Sequence, residues 1–405
     1  IRNYFPVFLL GSIFGKVIEL SGFSKSIASV VIDFLGNKRA ILSIVLVCAI
    51  LTYGGVSLFV VVFAVYPFAA ELFKASKIPK RLIPGAIALG AFTFTMDALP
   101  GTPQIQNIIP TTFFNTNTWA APWLGLFGGI FILVLGLIYL NYVRRKAEKA
   151  GEGYGGNLVN EPETFKSHNL ANPWIAVLPL VVVGVMNKVF TSAIPLYYGK
   201  THTMNLAASA NSINTDVTKL VAIWAVEAAL ILGILTILLF AFKPVISKFA
   251  EGSKSAVSGA LLASLNTASE YGFGAVIASL PGFYMIADAL KSIPNPLLNE
   301  AISVTTLSGI TGSASGGMSI ALAAMANTFI DNANAAGISM EVLHRVAAMA
   351  SGGMDTLPHN GAVITLLAVT GLTHRQSYKD IFAITVIKTC AVFFIIAIYN
   401  LTGIF

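Results

Sequence analysis

Apolar residues in this chain come in long unbroken runs, without the 3.6-residue or two-residue spacing of a half-buried helix or strand. The runs cover 40–73, 82–113, 122–143, 173–191, 218–242, 299–333, 340–371 and 381–404. A helix needs about 20 such residues to cross a bilayer. PWLGLFGGIFILVLGLIYLNYV (122–143) and TKLVAIWAVEAALILGILTILLFAF (218–242) therefore each predict one crossing. Four other runs are interrupted by helix-stopping residues. Tyr53-Gly54-Gly55 divides 40–73, and Asp97-Ala98-Leu99-Pro100-Gly101-Thr102-Pro103 divides 82–113. Ser313-Ala314-Ser315-Gly316-Gly317 divides 299–333, and Asp355-Thr356-Leu357-Pro358-His359-Asn360-Gly361 divides 340–371. The predicted fold class is an all-α integral membrane protein with re-entrant hairpins and broken transmembrane helices.

The interruptions come in matched pairs. Phe14-Gly15-Lys16-Val17-Ile18 recurs as Phe273-Gly274-Ala275-Val276-Ile277, and Gly22-Phe23 as Gly282-Phe283. Gly54-Gly55-Val56-Ser57-Leu58 recurs as Gly316-Gly317-Met318-Ser319-Ile320. Met96-Asp97-Ala98-Leu99-Pro100 recurs as Met354-Asp355-Thr356-Leu357-Pro358. The offsets are 259, 260, 262 and 258, nearly constant and in the same order, as an internal duplication requires. Cytoplasmic loops collect Lys and Arg, which orients the copies. Lys38, Arg39, Lys74, Lys77, Lys80 and Arg81 flank both ends of 40–73, so this hairpin enters from the cytoplasm. Its counterpart 299–333 has Glu300 and Asp331 at its ends and no Lys or Arg, so it enters from outside. The copies are therefore expected to be inverted: a first repeat over 1–143, a cytoplasmic linker over 144–172, and a second, inverted repeat over 173–405. Lys243, Lys248 and Lys254 mark a further inner loop, while 192–217 lies outside with Lys200. Only the second copy has two leading apolar segments, so an N-terminal piece ahead of Ile1 is also expected.

Composition agrees with a membrane setting. The chain is 56% hydrophobic and only 11% charged, against about 25% charged in soluble domains. Its net charge of +7 follows from the basic inner loops and predicts no nucleic-acid partner. Cys48 and Cys390 sit in apolar runs and form no metal or disulfide pattern. No cofactor motif is present. Localisation in a cell inner membrane, as a multi-pass protein, follows.

Broken helices need a reason, because backbone N–H and C=O groups in hydrocarbon must find partners. Unwound chain survives where protein buries it or a wet cavity adjoins it. Helix N-termini at such breaks turn their dipoles and free N–H groups toward an anion. The candidate substrate-binding residues are those around the interruptions: Tyr53, Gly54, Gly55, Ser57, Thr102, Gln104, Ser313, Ser315, Gly316, Gly317, Ser319, His359 and Asn360. Asp97 and Asp355 hold equivalent places in the two breaks, and intramembrane carboxylates default to functional hypotheses. Helix capping is the structural alternative. His359, expected one helical turn after Asp355 in the second broken helix, joins them as a coupling-ion candidate, because imidazole is the side chain best suited to exchanging protons at physiological pH. Lys16–Glu19, Glu227, Glu270, Lys388 and His344-Arg345 are expected to be structural ion pairs or snorkelling side chains. Ser351, Asp355 and His359 also suggest an intramembrane hydrolase, but no nucleophile elbow surrounds Ser351 and the repeat preserves no triad. The chain is therefore not expected to be an enzyme.

The Tyr-Gly-Gly hairpin at 53–55, Leu-Pro-Gly-Thr-Pro at 99–103, Ser313–Gly317 and Pro-His-Asn-Gly at 358–361 together resemble the gluconate permease (GntP) family. That family belongs to the elevator-type ion and carboxylate transporter superfamily. The resemblance runs over essentially the whole chain as an order of elements. It implies proton-coupled uptake of a small organic anion by a homodimer working as an elevator. Gluconate-type members carry a His in a longer first break, where this chain has Pro100-Gly101-Thr102-Pro103. The departure points to a smaller hydroxy acid, such as 3-hydroxybutyrate, ahead of gluconate. A sodium-coupled carboxylate transporter or a Na+/H+ antiporter of the same fold stays open, with a passive channel more remote.

Overall fold

The computed structural model describes residues 5–36, 39–156, 159–162, 170–205, 212–282, 285 and 293–405. Arg2, Lys38, Lys166, Phe283 and Lys291 lie outside the described residues, as do the side chains of Glu270, Phe273, Ala275 and Ile277.

The chain opens with α1 (Phe5–Leu20) and α2 (Phe23–Leu35), a pair bent by 67°. The first hairpin joins α3 (Ala40–Tyr53) to α4 (Leu58–Ala75) through residues 54–57. At 1.5 Å per residue α3 is about 21 Å long, short of the hydrocarbon core. Among the described residues α4 is itself long and apolar enough to cross, so this hairpin has one short and one full-length arm. The next apolar run is divided into α5 (Ile83–Ala91), the one-turn α6 (Phe94–Asp97) and α7 (Ile105–Phe114). Helix α8 (Pro122–Lys149) is a straight span that stays helical through Arg144, Arg145 and Lys146. The expected linker 144–172 therefore starts as a continuation of this helix, to Lys149. Helix α9 (Pro173–Tyr198) follows.

Two findings depart from an all-helical pattern with loops between runs. Strands β1 (Thr201–Asn205) and β2 (Ser212–Asp216) pair antiparallel, with Thr201 opposite Asp216. Beyond the apolar run, with Thr and Ile favouring strand, ladder hydrogen bonds satisfy the backbone here. Then α10 (Val221–Ala278) continues for 58 residues with one non-helical residue inside it, Ala241 (φ −135, ψ 36). The stretch with Lys243, Lys248 and Lys254, read as a loop from its charge, is helical. Pro244 falls at the start of the second half, where a missing N–H costs little, and the following sequence is rich in helix formers.

The second hairpin is α11 (Pro296–Thr311) and α12 (Ala314–Ala335), and the second broken run is α13 (Met340–Ser351) and α14 (Gly361–Thr370). Helix α15 (His374–Thr402) ends the chain. Helices α4, α8, α9, Val221–Ala250 of α10 and α15 are long and apolar enough to span a membrane. Their exposed faces carry large apolar residues such as Trp123, Ile138, Val181, Leu235 and Phe382, as lipid contact requires. Helices α1 and α9 pack on α10, α5 and α8 pack on α15, and α7 packs on α12 and α13.

On the side assigned to the cytoplasm, the segment after α8 joins distant parts. Lys80 Nζ reaches Glu161 at 2.7 Å, and Arg81 grips Glu152 at 2.7 Å. Tyr66 donates to the Asn160 carbonyl at 2.7 Å, and the Asn160 amide donates to Ala368 O at 2.9 Å.

Candidate functional site

Each hairpin turn is pinned to the break that follows it. In the first copy, Tyr53 Oη donates to Pro100 O at 2.8 Å and Gln104 Nε2 donates to Thr52 O at 2.7 Å. Gly55 adopts φ +99, a conformation open to glycine, and a Cβ there would meet Pro103 at 3.2 Å. In the second copy, Asn360 Nδ2 donates to Gly312 O at 2.7 Å, and the His359 ring lies over Gly312. Both tips therefore rest on unwound chain.

Several candidate residues are occupied in holding this arrangement. Thr102 Oγ1 donates to Thr95 O at 2.7 Å and is fully buried. Asn360 caps α14 by accepting from Val363 N at 2.8 Å. Ser313 caps α12 by accepting from Gly316 N at 3.1 Å, with Ser315 Oγ 3.4 Å away. Gly54 packs on Leu180. Gly316 and Gly317 lie in the first turn of α12, beyond the tip at Gly312-Ser313. A Cβ on Gly317 would collide with the Ser308 backbone, so this glycine permits helix–helix contact. Ser57 and Ser315 stay partly exposed and Ser319 is buried.

The copies differ at their helix starts. Ser313 and Asn360 cap α12 and α14 with their own side chains, whereas no side-chain cap bond closes α4 at Ser57 or α7 at Gln104. The Asn107 N–H of α7 donates to Gln104 O at 3.0 Å. The other first-turn N–H groups of α4 and α7 have no intrahelical partner by helix geometry, and the helix dipole adds partial positive charge there.

The two breaks also meet each other. Lys388, from α15 and 2% exposed, donates to Asp355 Oδ1 and to the free carbonyl of Phe92 at the end of α5, the latter at 3.2 Å. Arg345, from α13 and fully buried, gives Nη1 to Asp97 O at 3.0 Å and to Asn107 Oδ1 at 3.0 Å. Its Nη2 reaches Ala120 O at 2.7 Å. His344 bridges Thr116 Oγ1 at 2.6 Å and Asn107 Oδ1 at 3.1 Å. The Asp97 carboxylate lies against Gly352, and its Oδ1 has no hydrogen-bond partner among the described residues.

Two expectations are corrected here. Asp355 and His359 are not one helical turn apart: 352–360 is unwound, Asp355 pairs with Lys388, and His359 is exposed at the second hairpin tip. Glu300 does not mark an exposed segment end, because α11 already starts at Pro296 and Glu300 is completely buried. Lys388, Arg345 and Asn107 do more than pair locally, since they satisfy backbone carbonyls freed by the breaks.

Several apolar spans enclosing paired breaks with buried charges at their junction describe a membrane transporter. No family model matches the chain. Over its whole length it is 56% identical, across 412 aligned residues, to the "Uncharacterized transporter YxjC" of Bacillus subtilis (strain 168), covering 87% of that protein. The chain belongs to the same family as that transporter and is itself a multi-pass membrane transporter. The Alcanivorax borkumensis YdaH transporter is similar to it with a TM-score of 0.49 and 14% identity, over 98% of this chain and 85% of that one.

Proposed function

We propose that this protein is a proton-coupled symporter of the gluconate permease type, carrying a small hydroxycarboxylate such as 3-hydroxybutyrate or gluconate. One observation carries the proposal: the first hairpin tip and first break are stapled together by Tyr53 and Gln104, where α4 and α7 begin without side-chain caps. A substrate carboxylate placed there accepts the orphan N–H bonds. Ser57 supplies a hydroxyl beside it, and Ser315 and His359 near the second tip, with Ser319 a turn further into α12, supply groups for the substrate hydroxyl. Asp97, Asp355 and His359 are the coupling-ion candidates, with Lys388 compensating Asp355. The two copies, 1–143 and 173–405, act as inverted repeats in a homodimer, their hairpins moving as an elevator.

Purified protein in proteoliposomes tests this. Radiolabelled 3-hydroxybutyrate or gluconate should accumulate under an inward pH gradient, and preloaded unlabelled acid should accelerate labelled entry. Accumulation under a sodium gradient alone indicates sodium coupling. Proton efflux driven by sodium with no carboxylate uptake supports the antiporter instead.

A further inference from the structure

Helix α11 starts cleanly at Pro296, with Asn295 accepting from Leu298 N at 3.1 Å. One turn in, Glu300 is 0% exposed, and among the described residues neither of its carboxylate oxygens has a hydrogen-bond partner. Ser303, on the adjoining face at i+3, is also fully buried with its hydroxyl unpartnered. Five residues beyond Glu300, about 7.5 Å along the axis, Thr305 donates to Ala350 O beside the second break at 3.1 Å.

Among the described residues, no charge on the helices packed against α11 compensates Glu300. Helix α11 lies against α12, α13 and α15. Asp331 of α12 is exposed. On α13, Glu341 accepts from Ala121 N at 3.0 Å, while His344 and Arg345 are engaged with Asn107 and the first break. On α15, Lys388 holds Asp355, Asp380 accepts from Arg81 and Tyr139, and His374, Arg375 and Lys379 are exposed.

We propose that Glu300 is the side chain that carries the coupled proton. An unpaired carboxylate inside a membrane protein is costly, while the protonated acid is a neutral hydrogen-bond donor. The carboxylate takes one proton from the outer side and becomes the acid, with no redox change. With substrate bound, acid and anion move together. The same proton leaves on the inner side, regenerating the carboxylate. Ser303, three residues on and with its hydroxyl unpartnered, supplies an acceptor for the acid O–H once the two side chains rotate toward each other. This rests on the proton-symport function and departs from Asp97, Asp355 and His359 as the proton's carrier, placing it on the second hairpin's own arm: Asp355 is held by Lys388 and His359 is exposed.

The test compares wild type with Glu300→Gln, an isostere of the protonated acid, as full-length protein. In proteoliposomes with radiolabelled 3-hydroxybutyrate and gluconate, wild-type exchange at equal concentrations should slow as pH rises. Glu300→Gln should equilibrate substrate without concentrating it, and its exchange should lose pH dependence. Infrared titration without substrate should show a protonated-carboxyl band in wild type that Glu300→Gln lacks. A variant that still concentrates substrate with wild-type pH dependence, or an acid band unchanged by the substitution, overturns the proposal. If wild type moves no carboxylate with protons, the transport function fails, and the infrared comparison alone decides whether Glu300 binds a proton.

Discussion

Replacing Lys388 by Met tests how the breaks are held. The ammonium is 2% exposed and serves two acceptors, Asp355 Oδ1 and the Phe92 carbonyl. Met fills similar volume but leaves a buried carboxylate without its counter-charge, which costs about 3–5 kcal/mol. Removing both charges in Lys388→Met/Asp355→Leu eliminates that penalty. What then remains is the unpartnered Phe92 carbonyl, worth roughly 1–3 kcal/mol. The double variant should therefore be more stable than Lys388→Met despite losing one more native polar group. Equilibrium unfolding in mixed detergent–SDS micelles, read as a double-mutant cycle, measures the difference. Lys388→Met as stable as wild type, or a double variant no better than Lys388→Met, would refute the pairing as a structural bridge.

Gly317→Val should open the second hairpin, because its Cβ is directed onto the Ser308 backbone. Overpacking of this kind costs about 1–3 kcal/mol, visible in the same unfolding assay, while Gly361→Val, with open space at that position, should cost less. The Arg81 hydrogen bond holds the Glu152 carboxyl below its ordinary value against an opposing effect of burial. Glu152 thus contributes stability above the ordinary carboxylate range, and the contribution is lost as pH falls through its lowered value. Because the pair is partly exposed, the contribution is at most about 1 kcal/mol, and Glu152→Gln should flatten thermal stability between pH 6 and pH 3, taken as roughly bracketing that range. In a Cys390→Ser background, Gly155→Cys should react with an impermeant thiol reagent only after permeabilisation, and Lys200→Cys should react on intact cells. Labelling of position 155 from outside would overturn the assigned orientation.

The order of elements was legible because the signals for it are local. Apolar runs set the spans, and Gly and Pro clusters mark the interruptions, so α8, α9, both hairpins and both breaks fall where those patterns put them. Helix ends inside charged sequence were less legible. Arg144 to Lys149 extend α8, and Lys243 to Lys254 lie in α10, because basic residues are good helix formers as well as loop markers. The short β1–β2 pair carries no apolar alternation long enough to separate it from a polar loop.

At the site, what the sequence revealed was composition, and what it concealed was who satisfies whom. Asp97 and Asp355 stand out as carboxylates inside apolar runs, yet the cations serving the breaks come from far along the chain: Arg345 bonds Asp97 O across 248 residues, and Lys388 bonds Phe92 O across 296. Only folding brings them together, and a lone Lys or Arg in an apolar helix gives no sign of its acceptor. Glu300 was obscured differently. Helix α11 scatters Asn299, Ser303, Thr305, Thr306, Ser308 and Thr311 among apolar residues around its circumference, so no single polar face tells which side Glu300 takes. The caps were closer to readable, since Asn360 and Ser313 stand immediately before helix starts, where Asn and Ser are favoured. Their use has a consequence for the proposed function. Side chains that close α12 and α14 withdraw the Gly316 and Val363 N–H groups from any ligand, whereas no side-chain cap does so at the starts of α4 and α7. Under the proposed symport, this difference assigns the anion to the first copy and the proton to the second.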